Sequence, residues 1–156
     1  MNEKKVLLFG SNGLVGSSVK ELFEKDKNVE LIAATRDDAD LFNYDSTKNI
    51  IEDNKPNIII NSAAKVGGIY ANNKYPADFL LENLKIQNNV IENAWKSNSK
   101  RLLFLGSSCI YPKFSIQPIK EDELLKSSLE KTNEWYALAK ISGIKTCQAL
   151  RKQYGF

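Results

Sequence analysis

Tyr136 and Lys140 stand four residues apart in YALAK, a spacing that places both on one face of a helix. A lysine ammonium beside a phenol favours the phenolate and lowers the tyrosine pKa. A phenol so placed can hand its proton to a carbonyl oxygen while hydride arrives at the carbon. Taken alone, Tyr-x-x-x-Lys is common on ordinary helix surfaces. More reactive side chains stand upstream in GSSCIYPK (106–113), where the apolar run RLLFLG drives into two serines, a cysteine and a tyrosine. Ser107 and Ser108 fall at the carboxyl end of what reads as a buried strand. Open α/β sheets form their ligand crevice at that end, and a serine hydroxyl there can orient the same carbonyl oxygen.

Gly10, Gly13 and Gly16 form GSNGLVG, directly after a first apolar run and opening a helix-period segment. The first glycine permits a tight turn, the second lets backbone approach a pyrophosphate, and the third lets helix and strand pack closely. The pyrophosphate of a dinucleotide then lies at the positive end of the helix. The strand-before and helix-after context is what separates this motif from a bare glycine turn. At the end of the second strand, AATRDDAD bears on cofactor choice. A carboxylate there accepts the 2′-hydroxyl of NAD, and an arginine holds the 2′-phosphate of NADP. Arg36 comes first and favours NADP, but Asp37 and Asp38 follow at once.

The elements that must position these groups can be read from apolar periodicity. Segments 5–10, 29–35, 57–64 and 101–108 are short, continuous apolar runs, the signature of parallel strands covered on both faces. Helices are expected over 14–26, 46–54, 76–98 and 133–154. The first carries Val15, Val19, Leu22 and Phe23 on one stripe, and the second has a Ser/Thr start and stops before Pro56. The third opens with Pro76 and keeps Phe79, Leu80, Leu84, Val90, Ile91 and Ala94 at helical spacing. IYANNKYP (69–76) reads as turns, from its Asn and Pro content. Strand-helix alternation of this kind means an α/β fold, a Rossmann-type parallel sheet with helices on both faces and right-handed crossovers. Four strands are expected against about six in a full dinucleotide-binding sheet. Residues 1–156 are therefore expected to be one incomplete dinucleotide-binding domain, without its last strands and a substrate domain.

Composition narrows the function classes. The 156 residues are 42% hydrophobic and 26% charged, the range of an ordinary folded domain. A formal charge of +3, from 22 basic and 19 acidic residues, is too mild and too scattered for a nucleic-acid partner. No apolar run approaches the roughly 20 residues that span a bilayer, and MNEKK leads straight into VLLFG without a signal-peptide core. A cytoplasmic protein with no membrane partner is expected. Cys109 and Cys147 are too few and too far apart for a disulfide framework or a zinc site. Histidine is absent, which excludes a Ser-His-Asp triad or a histidine metal site within these residues.

The glycine loop, strand-end serine and Tyr-x-x-x-Lys, in this order, resemble the extended short-chain dehydrogenase/reductase superfamily. Within it, KVGGIYANNKYPADF (65–79), GSSCIYPK (106–113) and TNEWYALAKISGIK (132–145) resemble the GDP-L-fucose synthases. These are NADP-dependent GDP-4-keto-6-deoxy-mannose 3,5-epimerase/4-reductases. The likeness runs over nearly all 156 residues but only about half of a family member. It implies Tyr136 as acid, Lys140 as its tuner and a ribose ligand, and Ser107 as the carbonyl clamp. It also implies Cys109 as the base that removes protons next to the ketone. A cysteine in such a place is otherwise at home as a small buried hydrophobe. Cys147, in mid-helix, is assigned to packing.

For the cofactor the resemblance implies Gly10, Ser11, Asn12, Gly13, Leu14, Val15 and Gly16 at the pyrophosphate, and Arg36 at the 2′-phosphate. Asp40 and Leu41 would line the adenine pocket. Ala63, Ala64, Val66, Leu105 and Gly106 would flank the cofactor, with Tyr136 and Lys140 beside it. The family often has a basic residue inside the glycine loop, where this sequence has Ser11 and Asn12. The family's epimerisation acid is a histidine after the next strand, and most of its sugar-gripping residues also lie beyond position 156. The implied partners are a GDP-4-keto-6-deoxy sugar and a second subunit packed through helices 76–98 and 133–154. Trp95 would serve that interface or the core. Two further readings stay open: a dinucleotide-binding module without turnover, and a reductase of another 4-keto nucleotide sugar such as a heptose.

Overall fold

The computed structural model describes residues 4–156. Strands β1 (Lys4–Phe9), β2 (Val29–Ala34), β3 (Ile58–Asn61) and β4 (Arg101–Phe104) form one parallel sheet in the order β2-β1-β3-β4. Helices α1 (Leu14–Glu24), α2 (Tyr44–Asn54), α3 (Ile69–Lys74), α4 (Pro76–Lys96) and α5 (Glu134–Tyr154) complete the fold. The chain goes from β1 outward to β2, then returns past β1 to β3. That reversal opens a crevice between the carboxyl ends of β1 and β3, the place where such sheets take their ligands.

The apolar runs became strands because both faces of the inner strands are buried. Leu7, Phe9 and Ile59 pack on one face against Ile51 of α2 and Val90 and Ala94 of α4. Val6, Leu8 and Ile60 face the other way, against Val19 and Phe23 of α1. Each such aliphatic or aromatic side chain contributes roughly 1.5–3 kcal/mol on burial. The expected α1 stripe is thus only half used, since Val15 and Leu22 are exposed. Among the described residues β4 pairs only with β3, and its Leu103 is half exposed, so full cover on both faces holds for the inner strands.

Helix starts follow their caps. α2 begins at Tyr44, two residues before the expected Ser46, because Asn43 supplies the cap by accepting the Ser46 amide at 2.9 Å. The Ser46 hydroxyl instead accepts the Asp40 amide. The Asn-rich segment expected as turns contains the six-residue α3. Asn72 closes its start by donating from Nδ2 to the carbonyls of Gly67 and Gly68. β3 and β4 stop at Asn61 and Phe104, short of the expected 64 and 108, so the candidate catalytic serines lie in a loop beyond the strand.

Candidate active site

The glycine loop is built by close backbone approach. Gly10 has φ of +77°, and a Cβ there would lie 2.7 Å from the Ala63 nitrogen. A Cβ on Gly16 would lie 2.0 Å from the Gly10 carbonyl oxygen, so α1 starts hard against the loop. Ser62 stitches the two strand ends together, donating its hydroxyl to the Phe9 carbonyl at 2.6 Å. Gly13 caps α1 without a side-chain hydrogen bond, and no acidic residue stands in the helix's first turn. The free amides and positive end of α1 thus suit an anion, which is the fit a dinucleotide pyrophosphate requires. Asn12, Gly13, Leu14 and Val15 are exposed around this point, Leu14 at 91%. Ser11 is not: it is 1% exposed, and its hydroxyl and amide both donate to the Ala34 carbonyl. Its side chain fastens the loop to the end of β2.

Arg36 lies exposed in the turn after β2. Asp40 is exposed, while Leu41 is half-buried against the main core and its carbonyl accepts Asn89 Nδ2 at 2.8 Å. Ala63 and Ala64 are half-buried beside the glycine loop, and Val66 is 72% exposed. The strap carrying them is held by a residue that periodicity passed over. Asn83 of α4, 2% exposed, accepts the Lys65 amide at 2.9 Å and donates to the Lys65 carbonyl at 3.0 Å. Lys65 also pairs with Glu82 at 2.7 Å. The available signal was a polar residue four places after Phe79 on the apolar side of α4.

Ser107, Cys109, Tyr136 and Lys140 come together. After β4 the chain makes a 3-10 turn, Ser108–Ile110, with Ser107 as its cap. The Ser107 hydroxyl and Cys109 thiol are in contact at 3.2 Å. Tyr136 lies in the first turn of α5, half-buried beside both. Lys140, one turn on and 4% exposed, donates from Nζ to the Leu105 carbonyl at 3.0 Å. Leu105 therefore contributes its backbone to the cluster, and Gly106 is exposed next to it. Ser108 is exposed and makes no comparable contact.

The expected lowering of the Tyr136 pKa is not what this arrangement produces. Burial raises it, nearby Cys109 adds to the rise, and the Ser107 hydroxyl pulls it partly back. Lys140 is directed at a carbonyl, and its Nζ lies 5.8 Å from the centre of the tyrosine ring. Burial also lowers the Lys140 pKa. The phenol is thus held protonated, the form a proton donor needs. Behind Lys140, its Nζ lies 4.8 Å from the centre of the Phe104 ring, and that ring fills the place a Cβ on Gly143 would take, at 2.5 Å. Gln87 of α4 closes the same pocket, donating to the Ala139 carbonyl at 2.7 Å. Cys147 is half-buried in α5, where burial pushes its thiol pKa up, in keeping with a packing role.

Known proteins are similar to the chain in sequence and in fold. The chain is 52% identical to GDP-L-fucose synthase 1 of Arabidopsis thaliana over 152 residues, 97% of this chain and 47% of that one. It is 49% identical to the GDP-L-fucose synthase of Sinorhizobium fredii, over 99% of this chain and 49% of the relative. Among solved structures, the GDP-mannoheptose C4 reductase MlghC of Campylobacter jejuni, with NADP bound, superposes with a TM-score of 0.90 at 34% identity. That match covers 99% of this chain and 49% of the reductase. The chain therefore spans about half the length of the relatives it matches. Residues 6–156 match the NAD dependent epimerase/dehydratase family, and with its glycine loop and its serine, tyrosine and lysine assembled at one sheet end, the chain belongs to that family.

Proposed function

We propose that these residues are the cofactor-binding and reductive half of an NADPH-dependent enzyme acting on a GDP-4-keto-6-deoxy-hexose, with GDP-L-fucose as product. The observation that carries this reading is the cluster of Ser107, Cys109, Tyr136 and Lys140. The glycine loop and the amides opening α1 would hold the pyrophosphate, Arg36 the 2′-phosphate, and Asp40 and Leu41 the adenine side. Ala63, Ala64, Val66, Leu105 and Gly106 would flank the nicotinamide end. Bound there, the cofactor supplies hydride to the ketone carbon. Cys109, as thiolate, takes a proton from a carbon next to the ketone, and the electron pair moves onto the carbonyl oxygen as an enolate. Ser107 donates a hydrogen bond to that oxygen. The acid that returns a proton from the other face is expected outside these 156 residues, with the rest of the substrate domain. In the reductive step Tyr136 gives its proton to the oxygen as the C–H bond forms, and Lys140 stabilises the phenolate left behind.

The pairing expected for the two long helices fits the same reading. Leu81 on α4 and Trp135 and Leu138 on α5 are large exposed hydrophobic residues that a second subunit would cover. Trp95 is already engaged within the chain, stacked on Tyr154 with ring centres 4.5 Å apart. A second substrate class, a GDP-4-keto-heptose, is favoured by the likeness to MlghC. The test is an NADPH titration of the 156-residue chain, followed by NADPH consumption with GDP-4-keto-6-deoxy-mannose or a GDP-4-keto-heptose. Faster turnover of one assigns the sugar. Binding without turnover means that the chemistry needs the substrate domain. Failure to bind NADPH refutes the reading.

A further inference from the structure

The sequence left a conflict after β2, where Arg36 is followed by three carboxylates, Asp37, Asp38 and Asp40. A free carboxylate at this point suits the ribose hydroxyls of NAD and opposes a 2′-phosphate. The structure directs two of the three elsewhere. Asp38 Oδ2 accepts the Thr35 amide at 2.7 Å and the Thr35 hydroxyl at 2.8 Å. The Thr35 hydroxyl oxygen in turn accepts the Asp37 amide at 3.2 Å, and the Thr35 carbonyl accepts the Ala39 amide at 3.3 Å. Asp40 Oδ1 accepts the Phe42 amide at 2.9 Å.

Resting on the reading that the chain binds NADP(H), we propose that Asp38 is a positioning residue for cofactor choice, closing the 35–38 turn that presents Arg36, and is not itself a ribose ligand. The base of this turn is fixed. Thr35 follows Ala34, whose carbonyl takes both the amide and the hydroxyl of Ser11 from the glycine loop. The phosphate-binding loop and the arginine turn are thus tied through one residue of β2. A turn closed before binding presents the guanidinium without first having to be ordered, which favours a ligand carrying the 2′-phosphate. Both charge-assisted hydrogen bonds fall on Asp38 Oδ2, which engages that oxygen within the turn rather than with Arg36.

Two substitutions separate turn closure from charge. Asp38→Asn and Asp38→Ala both remove the negative charge, but only asparagine keeps an oxygen that can accept from Thr35. Dissociation constants for NADPH and NADH are read from nucleotide fluorescence on the 156-residue chain. The position is exposed, and far-UV melting checks that both variants fold. Asp38→Asn is expected to keep or raise the preference for NADPH. Asp38→Ala is expected to lose about tenfold of it, through weaker NADPH binding with NADH unchanged. A preference kept by both variants, or lost equally by both, overturns the proposal and leaves Asp38 as a surface charge. Weaker NADH binding in Asp38→Ala would make it a ribose ligand after all. A wild-type chain that binds neither nucleotide refutes the cofactor reading itself, before any substitution is considered.

Discussion

Replacing Gly16 by alanine should damage the fold, whereas replacing Gly13 should damage only binding. A Cβ at residue 16 would lie 2.0 Å from the Gly10 carbonyl oxygen, 2.7 Å from its carbon and 2.9 Å from Ser62 Oγ. The first two neighbours are backbone of a loop already pinned to Ala63, so relief requires α1 to move by about 1 Å. Overpacking of this kind sits at the upper end of the roughly 1–3 kcal/mol range. Alanine returns about 1 kcal/mol of helix propensity, leaving a net loss of about 2 kcal/mol. For a domain of this size that lowers Tm by about 4–8 °C. At Gly13 a Cβ meets only the Gly10 oxygen at 3.3 Å, with φ of −78°, so stability should change by less than about 0.5 kcal/mol. The methyl group would stand at the mouth of the loop, and NADPH affinity should fall about tenfold. Thermal melts followed by circular dichroism and an NADPH fluorescence titration give both numbers. A Gly16→Ala chain that melts with the wild type would refute the close-approach argument. Unchanged affinity in Gly13→Ala would show that the pyrophosphate does not cross this loop.

Three further substitutions probe the remaining parts. Tyr136→Phe should abolish ketone reduction and leave NADPH binding nearly unchanged, and equal loss of both would make Tyr136 a structural residue. Lys140→Met should slow ketone reduction, by removing the cation proposed to stabilise the Tyr136 phenolate, yet raise stability. Burial holds the folded Lys140 pKa below 10.5, so the folded state binds fewer protons than the unfolded one between those values, and wild-type stability rises with pH across that window. The methionine gain should therefore be largest below the depressed pKa and shrink towards pH 10.5, as read by urea unfolding at several pH values; a gain that grows with pH contradicts the sign. Asn83→Leu removes the two hydrogen bonds to Lys65 and a third to the Phe79 carbonyl. It should cost about 3 kcal/mol and shift the urea midpoint, whereas an unshifted midpoint would mean that water replaces the amide.

Much of this was legible because continuous apolar runs and a glycine loop impose local geometry. The four strands and the spacing of Tyr136 and Lys140 follow from period and propensity alone. What the sequence hid depends on which side chain bonds to which backbone group and on how deeply each is buried, neither of which period or propensity reports. The six-residue α3 forms in a segment of turn-forming residues because Asn72 bridges two preceding carbonyls. The strands stop early where Asn61 folds back to accept the Ala63 amide and where Leu105 offers its carbonyl to Lys140. The tyrosine pKa moved opposite to expectation because spacing places a lysine near a phenol but says nothing of how deeply either is buried. Asp38 read as a rival to Arg36 until its bonds to Thr35 were visible.

The packing behind Lys140 constrains how the chain can vary. Phe104 and Gln87 both border the space a Cβ on Gly143 would take, so substitutions at 143 should be coupled to those at 104 and 87, by about 0.5–3 kcal/mol in double-mutant cycles. A methyl group added at residue 143 displaces the ring that lies beneath the lysine ammonium, whereas the same change beside a smaller residue at 104 would meet less resistance. Drift at these three positions is therefore expected to be concerted. A change on β4 or α4 can therefore reach the Lys140 ammonium through packing alone.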